Sequence, residues 1–348
     1  MPVFRSDRNP IIKPEDIKPS NPDFKVISVF NCGVIRFNGE ILLLMRVAEA
    51  PQCECDDIIL VPFLDEKTNL VFIKELKKTD NNIDYSDPRV IKTPQKNYLT
   101  SISHFRIARS TNGIDFKIDE KPAMFPEKIY ERFGIEDPRI TKIDGKYYIG
   151  YSAVSDITGI TICLASTVDF INFERHGIIF LPDNKDFALF PEKINGKYYA
   201  LNRPSSTEFG MKDIWISQSD NLLSWGNHKI LLTSSIGFWD DGRIGCGAVP
   251  FKTKEGWLEI YHGASKDGKY CLGAILLNID DPSKIISRIK NPIIEPEEPY
   301  EKSGFLNNVI FTCGALYENG IVKIYYGAAD NYIAYAEIEL KEIMGNLK

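Results

Sequence analysis

Five tight-turn signatures, each followed by a run of aromatic and β-branched residues, constrain the fold of this chain more than any other feature. The turns are Asn38-Gly39, Asp144-Gly145, Asn195-Gly196, Glu255-Gly256 and Asn319-Gly320. Asn-Gly and Asp-Gly readily adopt the positive φ angles of two-residue β-hairpins. The last four turns recur about every 50 to 65 residues, a spacing typical of a four-stranded blade with its loops. The sequence therefore predicts an all-β fold, a β-propeller.

The interval between the first two turns is about twice as long as the others. Either one blade lacks the signature, which would give a sixth blade, or the chain carries a long insertion after Arg46. Charged runs between residues 47 and 94 favour the insertion. We therefore expect a single five-bladed β-propeller domain over residues 1–348, with an insertion at about 47–94.

Composition excludes several classes of protein. The net charge is −6 and no basic stripe stands out, so nucleic acid and anionic membranes are not expected partners. No segment has the length and apolar character of a signal peptide or membrane span, which predicts a cytoplasmic location. Seven scattered cysteines argue against a disulfide framework, and Cys53 and Cys55 lack a second ligand pair, so no metal site is expected.

Polar side chains recur at matching positions of the repeats, where a purely structural strand would be apolar. Six and seven residues after the turn glycines lie Met45 and Arg46, Tyr151 and Ser152, Asn202 and Arg203, His262 and Gly263, and Tyr326 and Gly327. Nearby in sequence are Asn31, Asp137, Lys185, Arg243, Tyr270 and Asp330. If these groups converge at one mouth of the propeller channel, the cations suit a phosphate-sized anion. Alternatively, each arginine is a solvated strand end and His262 is a structural histidine.

Two Asp-Pro pairs supply acidic candidates, Asp87 and Asp137. Asp-Pro also opens ordinary turns, so either aspartate could be purely structural. Asp137 is the stronger candidate because it shortly precedes the Asp144-Gly145 hairpin and so lies at the entrance of an inner-type strand.

Several motifs together resemble those of glycoside hydrolase family 130. They are Val29-Phe30-Asn31-Cys32-Gly33-Val34, Leu43-Leu44-Met45-Arg46-Val47, Gly134-Ile135-Glu136-Asp137-Pro138-Arg139, Phe190-Pro191-Glu192-Lys193, Asn202-Arg203-Pro204, Arg243-Ile244-Gly245-Cys246-Gly247, Ile260-Tyr261-His262-Gly263 and Tyr325-Tyr326-Gly327-Ala328-Ala329-Asp330. The motifs occur in order from residue 29 to residue 330. The resemblance implies a five-bladed β-propeller that acts on β-mannosides, mostly as an inverting phosphorylase.

The resemblance also implies roles for individual residues. Asp137 would be the sole catalytic carboxylate and would protonate the glycosidic oxygen through the 3-hydroxyl of the mannosyl unit. Phosphate, the co-substrate, would be held by Lys185, Arg203, Arg243, His262 and Tyr270. Asn31, Arg46 and Asp330 would orient the mannosyl ring, and further candidate substrate-binding residues are Arg89, Ser103, His104, Asn202 and Asp240. The products would be α-mannose 1-phosphate and a shortened sugar, with no cofactor or metal.

Other functions stay open at this point. An inverting hydrolase, which the family also contains, needs a second carboxylate, for which Glu192 and Asp240 are candidates. A non-catalytic sugar-binding propeller is a third class, and assembly as a homo-oligomer is not decided. The insertion resembles that of β-1,2-mannoside-acting members, which favours β-1,2-mannobiose or short β-1,2-oligomannosides over β-1,4 linkages. Lys185-Asp186 departs from family variants with Arg-Asn at these positions.

Overall fold

The structure is a computed structural model that describes residues 1–53, 55–65, 67–205 and 209–347. Glu54 and Glu66, in the expected insertion, and Lys348 lie outside the described residues. The strands in chain order are β1 (Phe4–Arg5), β2 (Phe24–Phe37), β3 (Glu40–Pro51), β4 (Ile58–Leu64), β5 (Val71–Lys77), β6 (Asp84–Asp87), β7 (Val90–Lys92), β8 (Asn97–Leu99), β9 (Ile102–Ser110), β10 (Lys117–Ile118), β11 (Gly134–Ile143), β12 (Lys146–Ser155), β13 (Gly159–Thr167), β14 (Glu174–Phe180), β15 (Asn184–Leu189), β16 (Tyr198–Pro204), β17 (Ile214–Ser219), β18 (Trp225–Leu232), β19 (Arg243–Cys246), β20 (Phe251–Lys252), β21 (Trp257–Ala264), β22 (Tyr270–Leu277), β23 (Ile285–Arg288), β24 (Ile310–Glu318), β25 (Ile321–Ala328) and β26 (Tyr332–Glu339). The helices are α1 (Pro299–Lys302) and α2 (Leu340–Asn346), and 3-10 turns span Pro14–Asp16 and Ile129–Glu131.

The sheets form a five-bladed β-propeller. From the channel outward, the antiparallel blades are β2-β3-β9-β10, β11-β12-β13-β14, β15-β16-β17-β18, β19-β21-β22-β23 and β24-β25-β26-β1. A single parallel bridge between Ser103 and Gly134 joins the first two blades edge to edge. The amino-terminal strand β1 pairs with β26, so the first strand of the chain completes the last blade.

The repeated turns connect the first and second strands of the blades. Asn38, Asp144, Asn195 and Asn319 have φ angles of 48° to 51°, and each following glycine is also positive. The Glu255-Gly256 turn differs, since only its glycine is positive, at 157°. The strand after each turn is therefore the second strand of its blade, and Asp137 lies on an innermost strand, not at the entrance of one.

Three innermost strands carry a β-bulge centred on a polar residue. Asn31, Asp137 and Asp186 have φ angles of 48°, 54° and 57°, and the strand register shifts at each of them. Asn and Asp tolerate this left-handed conformation better than other non-glycine residues. Bulges turn a side chain out of the regular alternation and are common next to binding sites. In this fold they are found in the strands that line the channel.

A repeated contact, here called the clasp, fastens the linker before a blade to that blade. Its members are a buried linker carboxylate, a tyrosine on the second strand and an arginine on the outermost strand. The three clasps are Glu131 with Tyr151 and Arg175, Asp240 with Tyr261 and Arg288, and Glu301 with Tyr326 and Arg5. In the first and third, the second carboxylate oxygen accepts two backbone N–H groups, which satisfies the buried charge.

Residues 52–101 leave the first blade and form a separate unit, here called the arm. Strands β3 and β9 pair directly with each other, while β4 and β5 form one small sheet and β6, β7 and β8 form another. Val61, Phe63 and Tyr98 of the arm pack with Phe133 in one apolar cluster. Neither sheet has four strands, so the arm is not a sixth blade.

Candidate functional site

A cavity of about 300 Å³ lies at the mouth of the propeller channel. Its polar wall comprises Ser28, Asn31, Arg46, Arg89, Ser101, Glu136, Asp137, Lys185, Asp186, Arg203, Arg243, His262, Tyr270 and Asp330. Its apolar wall includes Phe30, Phe305, Leu306 and Phe311. All five predicted phosphate ligands and Asp137 are therefore in one cavity, as are Asn31, Arg46, Arg89 and Asp330. A cleft with convergent polar groups is the usual form of a small-molecule site.

Asp137 is held from two sides at one end of the cavity. Asn31 Nδ2 donates to its Oδ1 over 2.9 Å, and the Arg46 guanidinium donates to the same oxygen over 3.1 Å. A second nitrogen of Arg46 donates to Glu136 over 2.6 Å. Within the described residues no hydrogen bond ends on Oδ2 of Asp137, so that oxygen is left for a ligand.

The two aspartates that line the cavity near Arg46 differ in acidity. Burial acts to raise the pKa of Asp137, but Arg46, Lys185 and the hydrogen bond from Asn31 outweigh it and lower the pKa. Burial raises the pKa of Asp330 to about 6, because Arg46 and Arg89 offset the burial only in part. At neutral pH these cations thus keep Asp137 ionised.

Lys185, Arg203 and Arg243 form a cationic part of the cavity wall, here called the cationic end. Arg203 pairs with Asp186 over 2.6 Å, whereas the described residues place no carboxylate within 4 Å of the Lys185 or Arg243 charge. The Arg243 guanidinium lies over the Tyr270 ring, 5.6 Å from its centroid. Cations without carboxylate partners in a partly buried cavity can bind an anion through charge-assisted hydrogen bonds.

Asp186 is a cavity residue for which the sequence predicted no role. It is 1% exposed, and its carboxylate lies 2.6 Å from Arg203, 3.4 Å from His262 Nε2 and 3.7 Å from Arg139. The charges of Arg203 and Arg139 and the contact with His262 hold the pKa of Asp186 well below its usual range despite burial. A sequence signal did exist: Asp186 occupies the place in its strand that Asn31 and Asp137 occupy in theirs.

Lys212 is a second residue without a predicted role. Its backbone carbonyl accepts a hydrogen bond from Ile244, which places this segment next to the strand that carries Arg243. Partial burial and the charges of Arg243, Arg203 and Lys185 lower the pKa of Lys212. The cationic end therefore extends beyond the residues that line the cavity.

Ser103 and His104, predicted to bind substrate, do not line the cavity. Both lie on β9, the third strand of its blade, and are therefore displaced from the channel. Ser103 accepts a hydrogen bond from Arg46 over 3.2 Å, so it supports a cavity residue. His104 is fully buried, stacks on Phe125, and burial lowers its pKa to about 3.

Asn202 and Asp240, also predicted to bind substrate, lie away from the cavity as well. Successive residues of a strand face opposite sides of the sheet, so Asn202 points away from the cavity while Arg203 lines it. Asn202 donates a hydrogen bond to Ser217 and accepts one from Asn184. Asp240 belongs to a clasp. Glu192, the other candidate for a hydrolase base, forms a half-exposed ion pair with Lys252.

Tyr151, Tyr326 and Ser152 were grouped with the site because of their position after the turn glycines. The two tyrosines belong to clasps, and all three are at most 2% exposed and absent from the cavity wall. At the same positions Arg46, Arg203 and His262 do line the cavity. Of the seven polar residues at these repeat positions, three line the cavity.

The arm contributes Arg89, Val90, Leu99 and Ser101 to the cavity wall. Arg89 donates through Nε and a terminal nitrogen to the two carboxylate oxygens of Asp87, over 3.0 and 2.9 Å. Asp87 is thus a partner of Arg89 and is not itself part of the wall. The arm supplies a fixed guanidinium at the edge of the cavity.

Among the described residues no group of three or more His, Cys, Asp or Glu side chains could hold a metal ion. In the same part of the chain, no helix is long and apolar enough to cross a membrane.

A family model and two known phosphorylases match this chain. The family model described as beta-1,4-mannooligosaccharide phosphorylase (Glyco_hydro_130) matches residues 88–348. A β-1,2-mannobiose phosphorylase of Listeria innocua is 46% identical over 100% of this chain and 99% of its own length. A 1,2-β-oligomannan phosphorylase of Thermoanaerobacter sp. is 44% identical over 72% of this chain and 83% of its own length.

The structure is similar to a solved one. The β-1,2-mannobiose phosphorylase from Listeria innocua, in complex with β-1,2-mannobiose, superposes with a TM-score of 0.97 over 100% of this chain and 99% of that chain. Its sequence identity to this chain is 46%. The match therefore includes the arm as well as the five blades.

Proposed function

The chain belongs to glycoside hydrolase family 130, and on this premise we propose that it is an inverting phosphorylase of β-mannosides. Inorganic phosphate would cleave the β-mannosidic bond of β-1,2-mannobiose or short β-1,2-oligomannosides. The products would be α-mannose 1-phosphate and a sugar shortened by one unit, and the reverse reaction would be synthesis. The observation that carries the proposal is a cavity whose wall combines Asp137 with Lys185 and Arg243, two cations that have no carboxylate partner among the described residues.

In this proposal Asp137 is the general acid, and its proton reaches the glycosidic oxygen through the mannosyl 3-hydroxyl. Asn31 and Arg46 hold one carboxylate oxygen, so that Oδ2 can face the sugar. Arg46 and Asp330 would orient the mannosyl ring. Phosphate, held by Lys185, Arg203, Arg243, His262 and Tyr270, attacks C1 from the other face, which inverts the anomeric carbon.

A general acid must be protonated to act, yet the cations around the cavity lower the pKa of Asp137. Phosphate binding would remedy this, because its negative charge cancels much of the field from Lys185 and its neighbours. The pKa of Asp137 would then rise as phosphate binds, and the complex would take up a proton. Phosphate would thus act both as the nucleophile and as the condition for the acid to be protonated.

The positions of the carboxylates favour phosphorolysis over hydrolysis. A hydrolase needs a second carboxylate to activate water on the face opposite the acid. The two candidates for this base, Glu192 and Asp240, are engaged with Lys252 and Arg288 outside the cavity. Asp186, the carboxylate within the cationic end, is paired with Arg203. Phosphate is already an anionic nucleophile, so a phosphorylase requires cations in that place.

The preference for β-1,2 linkages draws on the similarity of the relatives and on the arm. The family model itself is described by a β-1,4 activity, but it begins at residue 88 and so omits most of the arm. The Listeria relative matches the chain over its whole length. Arg89 would contact the leaving sugar. No cofactor is proposed, because phosphate is a co-substrate. The cytoplasmic location stays a prediction, and assembly as a homo-oligomer is not decided.

Product analysis tests the proposal. β-1,2-Mannobiose and β-1,4-mannosyl-glucose are each incubated with and without inorganic phosphate, and the anomers are identified by NMR. We expect α-mannose 1-phosphate from β-1,2-mannobiose only when phosphate is present. Free mannose formed equally without phosphate would overturn phosphorolysis, and turnover of the β-1,4 sugar alone would overturn the linkage.

A further inference from the structure

Asp186 is unfavourably placed for anion binding, because it puts a buried negative charge in the end of the cavity proposed to bind phosphate. It is 1% exposed, and its carboxylate repels a bound anion unless its own partners compensate. Its Oδ2 lies 2.6 Å from Arg203 and 3.4 Å from His262 Nε2, and its Oδ1 lies 3.7 Å from Arg139. The arrangement suggests that Asp186 positions other groups.

The carboxylate of Asp186, 3.4 Å from Nε2, favours a proton on that ring nitrogen of His262. An ionised carboxylate can only accept hydrogen bonds, so Nε2 must be protonated to face it. Gly245 makes room for this pair, because a β-carbon there would overlap both Asp186 Oδ2 and His262 Nε2. A neutral His262 then has a lone pair, and no proton, on Nδ1.

His262 Nδ1 is buried and has no hydrogen-bond partner in the described part of the chain. The ring is 1% exposed and lines the cavity, between Phe311 and Tyr270. A buried acceptor without a partner is costly, so a ligand that donates a hydrogen bond to it gains affinity. The lone pair therefore points to a ligand that is an anion and also carries a proton.

We propose that Asp186 is a positioning residue that fixes His262 in the Nε2-protonated form, so that Nδ1 accepts a hydrogen bond from a protonated phosphate oxygen. This inference rests on the proposed function and deepens it. The pocket would thereby select hydrogen phosphate, and equally hydrogen arsenate, over sulfate. Near neutral pH phosphate and arsenate retain a proton, whereas sulfate has none to donate. The attacking oxygen is one of those without a proton.

The surrounding charges support a neutral His262. Arg203, Arg139 and Asp186 are the charged groups that act on it most, and Tyr270 is stacked beside it. Burial and the two arginines lower the pKa of His262, and Asp186 offsets them only in part. Lys185 and Arg243 add further positive charge in the same cavity. Nδ1 thus remains an acceptor at neutral pH and gains a proton only in more acidic solution.

Competition between anions tests the inference. The KM for phosphate and the inhibition constants of arsenate and sulfate are measured from pH 5 to pH 8. We expect sulfate to bind about tenfold more weakly than phosphate at high pH, the effect of one unpaired buried acceptor. The difference should shrink as the pH falls, because protonated Nδ1 can donate to sulfate. Equal binding of phosphate and sulfate at high pH would overturn the inference.

The Asp186→Asn variant and a matched control distinguish a positioning role of Asp186 from a general effect of removing a negative charge. An amide can face Nε2 with either its oxygen or its nitrogen, so Asp186→Asn should allow both forms of His262 and reduce the preference for phosphate over sulfate several-fold. Asp220→Asn removes an exposed carboxylate of the same blade, paired with Lys197, and should leave the preference unchanged. An unchanged preference in Asp186→Asn would contradict the inference.

A spectroscopic measurement reads the proton position on His262 in the wild-type protein. In protein labelled with ¹⁵N at its four histidines, the His262 signals are assigned by their loss in His262→Gln. We expect a protonated Nε2, an unprotonated Nδ1, and a shift of Nδ1 on adding phosphate but not sulfate. A protonated Nδ1 at neutral pH would overturn the inference. Wild-type protein that binds phosphate in this way but forms no mannose 1-phosphate would overturn only the proposed function.

Discussion

The clasps and the cavity use the same residue types, yet they differ in how fully the charges are satisfied. In the Glu301 clasp, Arg5, Tyr326 and two backbone N–H groups all donate to one buried carboxylate. In the cavity, by contrast, Asp137 has one oxygen without a donor, and Lys185 and Arg243 have no carboxylate close by among the described residues. Buried charges whose hydrogen bonds are all made stabilise the fold, whereas charges without partners are able to bind a ligand.

The largest expected effect is on catalysis, at the cavity side of this comparison. Asp137→Asn removes the proposed acid but keeps the side chain's shape, so we expect phosphorolysis to fall by about 10³-fold. The melting temperature should change by only a few degrees. Steady-state rates with β-1,2-mannobiose and phosphate, together with a thermal melt, check both statements. A rate within tenfold of the wild type would show that another group is the acid.

The clasp should show the opposite behaviour. Glu301→Gln removes the charge that holds Arg5 and one of the acceptors for the backbone, which should cost about 3 kcal/mol of unfolding free energy. The KM for phosphate should be unchanged. Glu297→Gln is the matched control, since Glu297 is an exposed partner of the same arginine and should matter little. The unfolding free energies of both variants are measured with denaturant. Equal values for Glu301→Gln and Glu297→Gln would show that the clasp stabilises the protein no more than an ordinary surface ion pair.

Arg243 tests the cationic end without disturbing a structural ion pair. Arg243→Met retains the apolar stem and loses the charge, so the KM for phosphate should rise about 100-fold, the value of one strong charge-assisted hydrogen bond. The KM for the sugar should change much less. Lys229→Met, which removes an exposed cation on β18, serves as control. A parallel rise in both KM values would indicate that Arg243 does not bind phosphate.

The smallest effect concerns Asp330, which lies in a left-handed turn with Ala329. Because its pKa in the folded protein, about 6, exceeds the ordinary value of 3.8, its charge opposes folding as the pH rises through 6. Asp330→Asn should therefore raise the unfolding free energy by on the order of 1 kcal/mol at pH 8, and the gain should vanish near pH 4. Denaturation curves at the two pH values measure this. A destabilised variant at pH 8 would show that the charge of Asp330 is satisfied.

The sequence predicted the fold well because the hairpin signal is local. Asn-Gly and Asp-Gly impose a backbone conformation by themselves, and four of the five turns adopt it as expected. The Glu255-Gly256 turn does not, since a glutamate lacks that preference. The five turns, with the long first interval interpreted as an insertion, then predicted five blades without knowledge of long-range contacts.

The site was only partly predictable, because contact across blades decides which polar residue reaches the cavity. Asp240 and Asp137 are both linked to an arginine, but only the structure shows that Asp240 faces Tyr261 and Arg288 in a clasp. Asn202 was assigned with Arg203, although neighbours on a strand face opposite ways. Asp186 was missed because its role depends on His262, more than 70 residues further along the chain.

The central claim is that the cationic end of the cavity holds phosphate in line with the bond to be cleaved. A crystal structure of Asp137→Asn with β-1,2-mannobiose and phosphate tests it most directly. We expect phosphate in contact with Lys185, Arg203 and Arg243, and one of its oxygens about 3 to 3.5 Å from C1 of the mannosyl unit, opposite the glycosidic oxygen. Phosphate bound elsewhere, with a water molecule held by a carboxylate at that position, would contradict the claim.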